Sequence, residues 1–354
     1  MASRKKKIVF SFPTYISFVR KDEALLKEHF EVRSFLLDQK PSHIFFSIMK
    51  QFFFLLRHAF SASAYVSFFA TYSSFFPSVF AKLTGKPNLI ILGGTDCCAY
   101  PSFHYGNFQR GLLGWVTCQS LKWADHLLPV DESLVHYIHS YTDQDPQKQG
   151  YKAFCPQATA PHTSIPIGYD ADMFFSPGNK IPKSFLTVAQ MDTTAFVRKG
   201  IDLIFEMAQR FPDCRFTLVG HKPSAPLPPV PSNLTLVGLV TYEELQKYYA
   251  AHRFYFQLSV MEGFPSAPCE AMLCECVPIT SNVAALPHIV GDTGFILAKK
   301  DADALELLIR QALTADLDSL GKKARNRIAT LFPKSVRLKL IEIINIEITG
   351  KATR

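Results

Sequence analysis

Acidic residues are missing from one long stretch of this sequence. Between Asp38 and Asp96 there is neither Asp nor Glu, while Lys40, Lys50, Arg57, Lys82 and Lys86 fall inside the interval. Charge is sparse overall, at 19% of 354 residues against 48% hydrophobic, which excludes a solvated, disordered chain. Proline and glycine (23 and 17) are too few for a fibrous or linker-dominated architecture. A secretory leader is not expected: Arg4-Lys5-Lys6-Lys7 is followed only by Ile8-Val9-Phe10-Ser11-Phe12, short of the ~7–15 apolar residues required. The longest uncharged run, 58–81, reaches the ~20 residues of a membrane span. It also holds seven Ser or Thr and Pro77, so it reads as a strand over 64–69, a turn, and a helix over about 74–83. The eight cysteines (97, 98, 118, 155, 214, 269, 274, 276) lack zinc-knuckle or C-x-x-C spacing and read as free thiols in a reducing, cytoplasmic setting.

What the sequence has in excess is phenylalanine, 31 in all and eleven in residues 41–80. Phe45, Ile48, Met49, Phe52, Leu55 and Leu56 share one helical face. That face suits either a core helix beside a buried strand or, with the neighbouring cations, an interfacial patch on lipid. The net charge of +8 permits a polyanion, an acidic membrane or an anionic substrate. Residues 321–354 hold nine Lys or Arg against Glu342 and Glu347, a basic helical tail that reads as a solvated face or a contact with acidic headgroups. Nucleic acid is not expected, because no helix-turn-helix, finger or RNA-binding signature accompanies the charge.

Strand and helix signals alternate along the chain. Strands are expected at 7–12, 31–36, 64–69, 88–92 and 126–130, with helices at 22–30, around 45–56, near 74–83, near 109–123 and from about Glu132. A linker at 171–183, with two prolines and a glycine, separates a second series. Its strands are expected at 185–189, 215–219, 234–237, 254–258, 277–281 and about 294–297, and its helices at 201–211, 243–250 and over 268–274. A proline-rich loop fills 222–232. The pattern predicts an α/β fold of parallel sheets covered by helices, with domains at 1–170 and 184–330 and a basic helix at 331–354.

The chemistry concentrates in Ser259-Val260-Met261-Glu262-Gly263-Phe264-Pro265-Ser266-Ala267-Pro268-Cys269-Glu270. This run follows a strand and opens a helix whose first N–H groups lack internal partners and favour anionic oxygens. Helical side chains lean toward the N-terminus, so Glu270 can reach back toward the pocket Glu262 borders. Carboxylates beside an anion site suit a ligand that is anionic at one end and hydroxyl-rich at the other. Arg198-Lys199-Gly200 stands before another helix; two cations there oppose the helix dipole, which makes sense if an anion sits between them.

These pieces, in order, resemble the nucleotide-sugar domain of retaining family-4-type glycosyltransferases. They are Arg198-Lys199-Gly200, Leu218-Val219-Gly220, Val237-Gly238-Leu239-Val240 with Glu243-Glu244-Leu245, the E-x7-E pair Glu262 and Glu270, and Pro278-Ile279-Thr280-Ser281 with Leu286 through Gly294. Pro166-Ile167-Gly168-Tyr169-Asp170 resembles the family's interdomain element. The resemblance implies a GT-B fold, two facing Rossmann-like domains. It implies a retaining, metal-independent transfer of a sugar from a nucleotide diphosphate sugar to an acceptor hydroxyl, without a cofactor. Glu262 would face the sugar and Glu270 the ribose. Gly263, Phe264, Pro265, Ser266, Gly238 and Leu239 would line the donor, and Arg198 and Lys199 would neutralise the diphosphate. Ala189-Gln190-Met191 stands where the family has an arginine, Pro13 through Ser17 replaces a glycine-rich loop, and Gly93-Gly94-Thr95-Asp96 stands where the family commonly has a histidine, with His104 further on. Asp96 is a candidate contact for sugar or acceptor, or else a turn cap. The acid-free first domain suggests a polysaccharide or lipid-linked acceptor and peripheral contact with an anionic membrane at the cytoplasmic face. Other readings are an epimerase or hydrolase of nucleotide sugars, and a catalytically silent scaffold.

Overall fold

The computed structural model describes residues 5–176, 178–191, 195–222 and 227–352. Arg4, Arg354, Pro177 of the expected linker and 223–226 of the proline-rich loop lie outside these. The chain divides into two compact units. The first comprises 1–138, 145–167 and 335–354; the second comprises 139–144 and 168–334.

In the first unit five short apolar strands, β1 (Lys7–Phe12), β2 (Glu31–Leu36), β3 (Ala64–Phe68), β4 (Asn88–Leu92) and β5 (His126–Pro129), pair in parallel in the order β2-β1-β3-β4-β5. Residues of β3 and β4 are buried without alternation, as expected of strands covered on both faces. The connecting helices are α1 (Ser17–His29), α2 (Ile44–His58), α3 (Tyr72–Thr84) and α4 (Gly111–Lys122). The helix expected from Glu132 is absent. A single 3-10 turn at Glu132–Leu134 leads instead to a small antiparallel pair, β6 (Tyr137–Ile138) and β7 (Lys148–Gln149), and the short α5 (Tyr151–Phe154). Asp131 caps that turn by accepting from the Ser133 amide at 2.9 Å.

Two expectations change in this unit. Helix α2 turns Ser47, Gln51 and Leu55 inward, where the Gln51 amide donates to the Ser73 carbonyl at 2.8 Å. Phe45, Met49 and Leu56, read as members of one face, are exposed. Leu55 joins the core of Val9, Tyr65 and Phe80. The cysteines are not all free: Cys118 of α4 is bonded to Cys155, with Cα atoms 5.5 Å apart, while the other six are buried thiols. Spacing could not reveal that pair, because the sheet crossover from α4 through β5 brings the two together.

The second unit holds β8 (Ile181–Val188), β9 (Arg215–Val219), β10 (Leu234–Val237), β11 (His252–Gln257), β12 (Val277–Ser281) and β13 (Phe295–Leu297). All pair in parallel in the order β10-β9-β8-β11-β12-β13. Strand β8 begins four residues before the expected position, inside the stretch read as linker. The helices are α6 (Ala195–Arg198), α7 (Ile201–Arg210), α8 (Tyr242–Ala251), α9 (Ser266–Leu273), α10 (Leu286–Val290), α11 (Ala302–Leu313) and α12 (Leu317–Leu331). Phe185, Phe216, Phe254 and Phe256 stack across β8, β9 and β11 with ring centroids 4.6–5.0 Å from Phe185. Part of the phenylalanine surplus is therefore core. After α12 the chain passes back to the first unit and ends in α13 (Leu338–Ala352); Arg337, just before that helix, forms a buried ion pair with Asp22. Among the described residues no helix is long and apolar enough to cross a membrane.

Candidate functional site

The second sheet runs outward from β8 to β9 and β10 on one side, then from β11 to β12 and β13 on the other. The order in which successive strands are added thus reverses between β8 and β11. In open parallel sheets the loops leaving two such strands diverge and leave a crevice at their carboxyl ends, where ligands bind. The described residues that follow these strands are 189–191 with 195–200, and 258–265, and they include Arg198-Lys199-Gly200 and Glu262, which the sequence singled out.

The first loop ends in α6, whose turn closes through the Lys199 amide to the Ala195 carbonyl at 2.8 Å and the Gly200 amide to the Val197 carbonyl at 3.1 Å. Gly200 has φ of +71°, and a Cβ there would stand 2.3 Å from the Leu258 carbonyl oxygen. Both the left-handed backbone and the close approach require glycine. With no side chain in the way, the Val260 amide donates to the Arg198 carbonyl at 2.8 Å. Segment 198–200 is therefore tied to 258–260, and Lys199 is delivered to Glu262: Nζ and Oε1 lie 2.6 Å apart.

Gln257 receives the same carboxylate from the other side. Its Nε2 donates to Glu262 Oε1 and to Ser259 Oγ, each at 2.8 Å, while its own Oε1 accepts from the Tyr255 hydroxyl at 3.2 Å. Burial pushes the Tyr255 phenol well above its ordinary value, so it stays a donor. Glu262 is thus held in one place by a cation and an amide, with side-chain exposures of 23% for Lys199 and 12% for Glu262. An entering anion would share that cation.

Pro265, at φ −71°, caps α9, whose first residue is Ser266. Proline suits this position because its fixed φ matches the turn and it lacks an N–H that would go unpaired. Glu270 sits in the second turn, buried, and accepts from the Tyr249 hydroxyl of α8 at 3.2 Å. Burial, reinforced by the Glu270 charge, drives the Tyr249 phenol well above its usual value. The Phe264 ring is buried against Phe332 at 5.2 Å, which anchors the bend and leaves Gly263 and Ser266 half-buried beside it.

The structure therefore brings Lys199, Glu262 and the start of α9 together, with Arg198 adjoining through its backbone. Gly238 and Leu239 lie in the turn after β10, two strands over from β8; the Gly238 carbonyl accepts from the Gly220 amide at 3.2 Å, and Leu239 is exposed. Asp96 is a correction. It is fully buried in the first unit, and its carboxylate accepts from the amides of Ala70 (2.9 Å), Gly93 (3.1 Å) and Gly94 (2.9 Å). Burial raises its pKa despite those amides. It locks the turn after β4 to the loop after β3, which is the capping role. Sequence reasoning missed Gln257, Tyr255 and Tyr249. A polar residue ending the apolar run Phe254-Tyr255-Phe256 was the available signal for Gln257; nothing in α8 marks Tyr249.

Residues 182–315 match the sequence model of the family described as glycosyl transferases group 1. The segment is thus similar to group 1 glycosyl transferases. It contains Lys199, Glu262 and Glu270, and the six-stranded sheet almost entirely. O-antigen chain mannosyltransferase B of Escherichia coli is 40% identical over 80 residues, 23% of this chain and 21% of that protein. One component of the phosphatidylinositol N-acetylglucosaminyltransferase of Arabidopsis thaliana is 22% identical over 191 residues, 51% of this chain and 42% of that protein. The matches thus span about a fifth and two fifths of these relatives. Sucrose-phosphate synthase from Thermosynechococcus elongatus has a similar structure (TM-score 0.73, 18% identity, covering 98% of this chain and 100% of that one). So has Anabaena HepE, solved in complex with UDP-glucose (TM-score 0.67, 12% identity, 96% and 99% covered). Two Rossmann-like units of this kind are the GT-B fold.

Proposed function

We propose that this protein transfers a sugar from a nucleotide diphosphate sugar to an acceptor hydroxyl, with retention at the anomeric carbon. The observation that carries the reading is the Lys199–Glu262 pair at 2.6 Å, at the point where the strand order of the six-stranded sheet reverses. Lys199, with Arg198, would neutralise the diphosphate as it departs, so that the reaction needs no metal. Positive charge already in position where negative charge develops lowers the barrier without reorganisation. Glu270, buried and oriented by Tyr249, would accept hydrogen bonds from the ribose hydroxyls. Glu262, fixed by Lys199 and Gln257, would face the sugar, and the amides around Gly263 and the first turn of α9 would meet diphosphate or sugar oxygens. Holding donor and acceptor in register supplies the remainder of the acceleration. No protein nucleophile is assigned.

The acceptor class is a polysaccharide or lipid-linked intermediate, and the site of action the inner face of a membrane. The similarity of the 80-residue segment to an O-antigen chain mannosyltransferase supports the first of these.

A thermal-shift panel of UDP-, GDP-, ADP- and TDP-sugars tests the reading. A ligand at 100 times its Kd stabilises the folded state by about 2.7 kcal/mol. One nucleotide class should raise Tm, its free diphosphate should do so too, and Glu270→Ala should remove both shifts. If no donor stabilises the wild-type chain, the proposal fails.

A further inference from the structure

Three consecutive helices of the first unit, α2, α3 and α4, contain no acidic residue, yet carry Lys50, Arg57, Lys82 and Lys122 on their exposed surface. Helix α2 sorts its residues by angle. At ~100° per residue, Phe45, Phe46, Met49, Phe53 and Leu56 fall within an arc of about 100°. Lys50 and Arg57 follow immediately beside that arc, and the buried Ser47, Gln51 and Leu55 occupy the opposite side. The apolar arc points outward: Phe45 and Phe46 are each 67% exposed, and Phe60, just past the helix, 95%.

The patch extends beyond one helix through an unbroken chain of aromatic rings. Phe53 meets Phe52 at 5.8 Å, Phe52 meets Phe76 at 5.9 Å, Phe76 meets Phe75 at 5.5 Å, and Phe75 meets Trp115 at 5.8 Å. Trp115, on α4, is 53% exposed, and Leu83 of α3 stands exposed as well. Lys82 lies over the Trp123 ring at 5.6 Å, its charge at the edge of the aromatic surface. Isolated exposed apolar residues need no explanation, but a contiguous surface of this size marks a binding face.

We infer that the α2–α4 face is a docking surface for an anionic lipid bilayer, with Phe45, Phe46, Phe53 and Phe60 entering the headgroup region and Lys50, Arg57 and Lys82 meeting lipid phosphates. The charge pattern selects this occupant. Lys50 and Arg57 line one edge of the apolar arc, and no carboxylate on the three helices would repel an acidic surface. A helix with an apolar face edged by Lys and Arg lies in the interfacial plane. Anionic leaflets attract each such cation by an amount that accumulates. The inference stands independently of what Lys199 and Glu262 do.

Co-sedimentation of the full chain with vesicles of phosphatidylcholine alone, or with phosphatidylglycerol added, tests it. Binding should require the anionic lipid and weaken with salt. The variant Lys50→Gln/Arg57→Gln/Lys82→Gln should lower the partition coefficient on anionic vesicles about 100-fold. The variant Phe45→Ser/Phe53→Ser/Phe60→Ser should lose at least tenfold at any salt concentration. The unmodified chain supplies a second readout that requires no variant to fold. Its two tryptophans both belong to this face, so brominated lipid should quench the intrinsic fluorescence. Absence of wild-type binding and quenching would overturn the inference. So would unchanged binding by both variants, or a concentration-dependent dimer that the phenylalanine variant abolishes while vesicles leave it untouched.

Discussion

Replacing Lys199 by methionine keeps the length of the side chain and removes its charge. Its Nζ lies 2.6 Å from Glu262 Oε1, and both side chains are largely shielded, at 23% and 12% exposure. A hydrogen bond from a charged donor contributes about 1.5–3 kcal/mol net. The substitution should therefore weaken binding of the nucleoside diphosphate about 10- to 150-fold. A second effect has the same sign: Glu262, left with Gln257 alone, becomes an uncompensated negative charge beside the incoming diphosphate. Adding Glu262→Gln to Lys199→Met should consequently recover part of the diphosphate affinity and none of the turnover. Loss in kcat should be larger, about 10²–10³, because the leaving diphosphate carries more charge in the transition state than in the bound donor. Isothermal titration calorimetry with nucleoside diphosphate and with nucleoside separates the contributions, since nucleoside alone should bind both proteins equally. If Lys199→Met binds the diphosphate as wild type does, or loses nucleoside affinity to the same extent, the assignment of this cation to the diphosphate is wrong.

Tyr249→Phe deletes a hydroxyl that donates to buried Glu270 at 3.2 Å; stability should fall by about 1–3 kcal/mol and donor KM should rise, read by urea unfolding and steady-state kinetics. Cys118→Ser opens a bridge between residues 37 apart and should cost about 3–4 kcal/mol in oxidising buffer, with no difference from wild type once dithiothreitol is present. Burial pushes the His252 imidazole below its ordinary value, and its ring nitrogens bond the Tyr248 carbonyl at 2.7 Å and Thr217 Oγ1 at 2.9 Å. Below about pH 6.5 the unfolded chain takes up a proton that the folded site resists. The associated stability is thus complete above that pH and is lost as pH falls toward the depressed folded value. His252→Gln should flatten the fall in Tm between pH 7 and pH 5; an unchanged slope would assign it to other groups.

Much of the second unit was legible because its signals are local. Runs such as Arg215–Val219, Leu234–Val237 and Val277–Ser281 are apolar, short and bounded by turn residues, and each is a strand with the expected limits. Glu262 and Glu270 could be located because a strand end, a proline-bearing bend and a helix start follow one another within a dozen residues. The residues that hold them could not. Tyr249 reaches Glu270 from a different helix, and the Arg198–Val260 backbone contact joins segments 62 residues apart.

By itself, then, the sequence determined which segments become strands and helices, that the sheets are parallel, and which acids and cations carry the candidate chemistry. Periodicity and turn chemistry act over a few residues and are written in the chain. Tertiary structure alone decided that α2 presents its phenylalanines to solvent and buries Gln51, that Asp96 is consumed by three amides, and that Cys118 meets Cys155. It also decided that 335–354 return to the first unit. Periodicity tells which side chains share a face, but which face is covered depends on partners distant in sequence, and those are brought near only by the folded sheet.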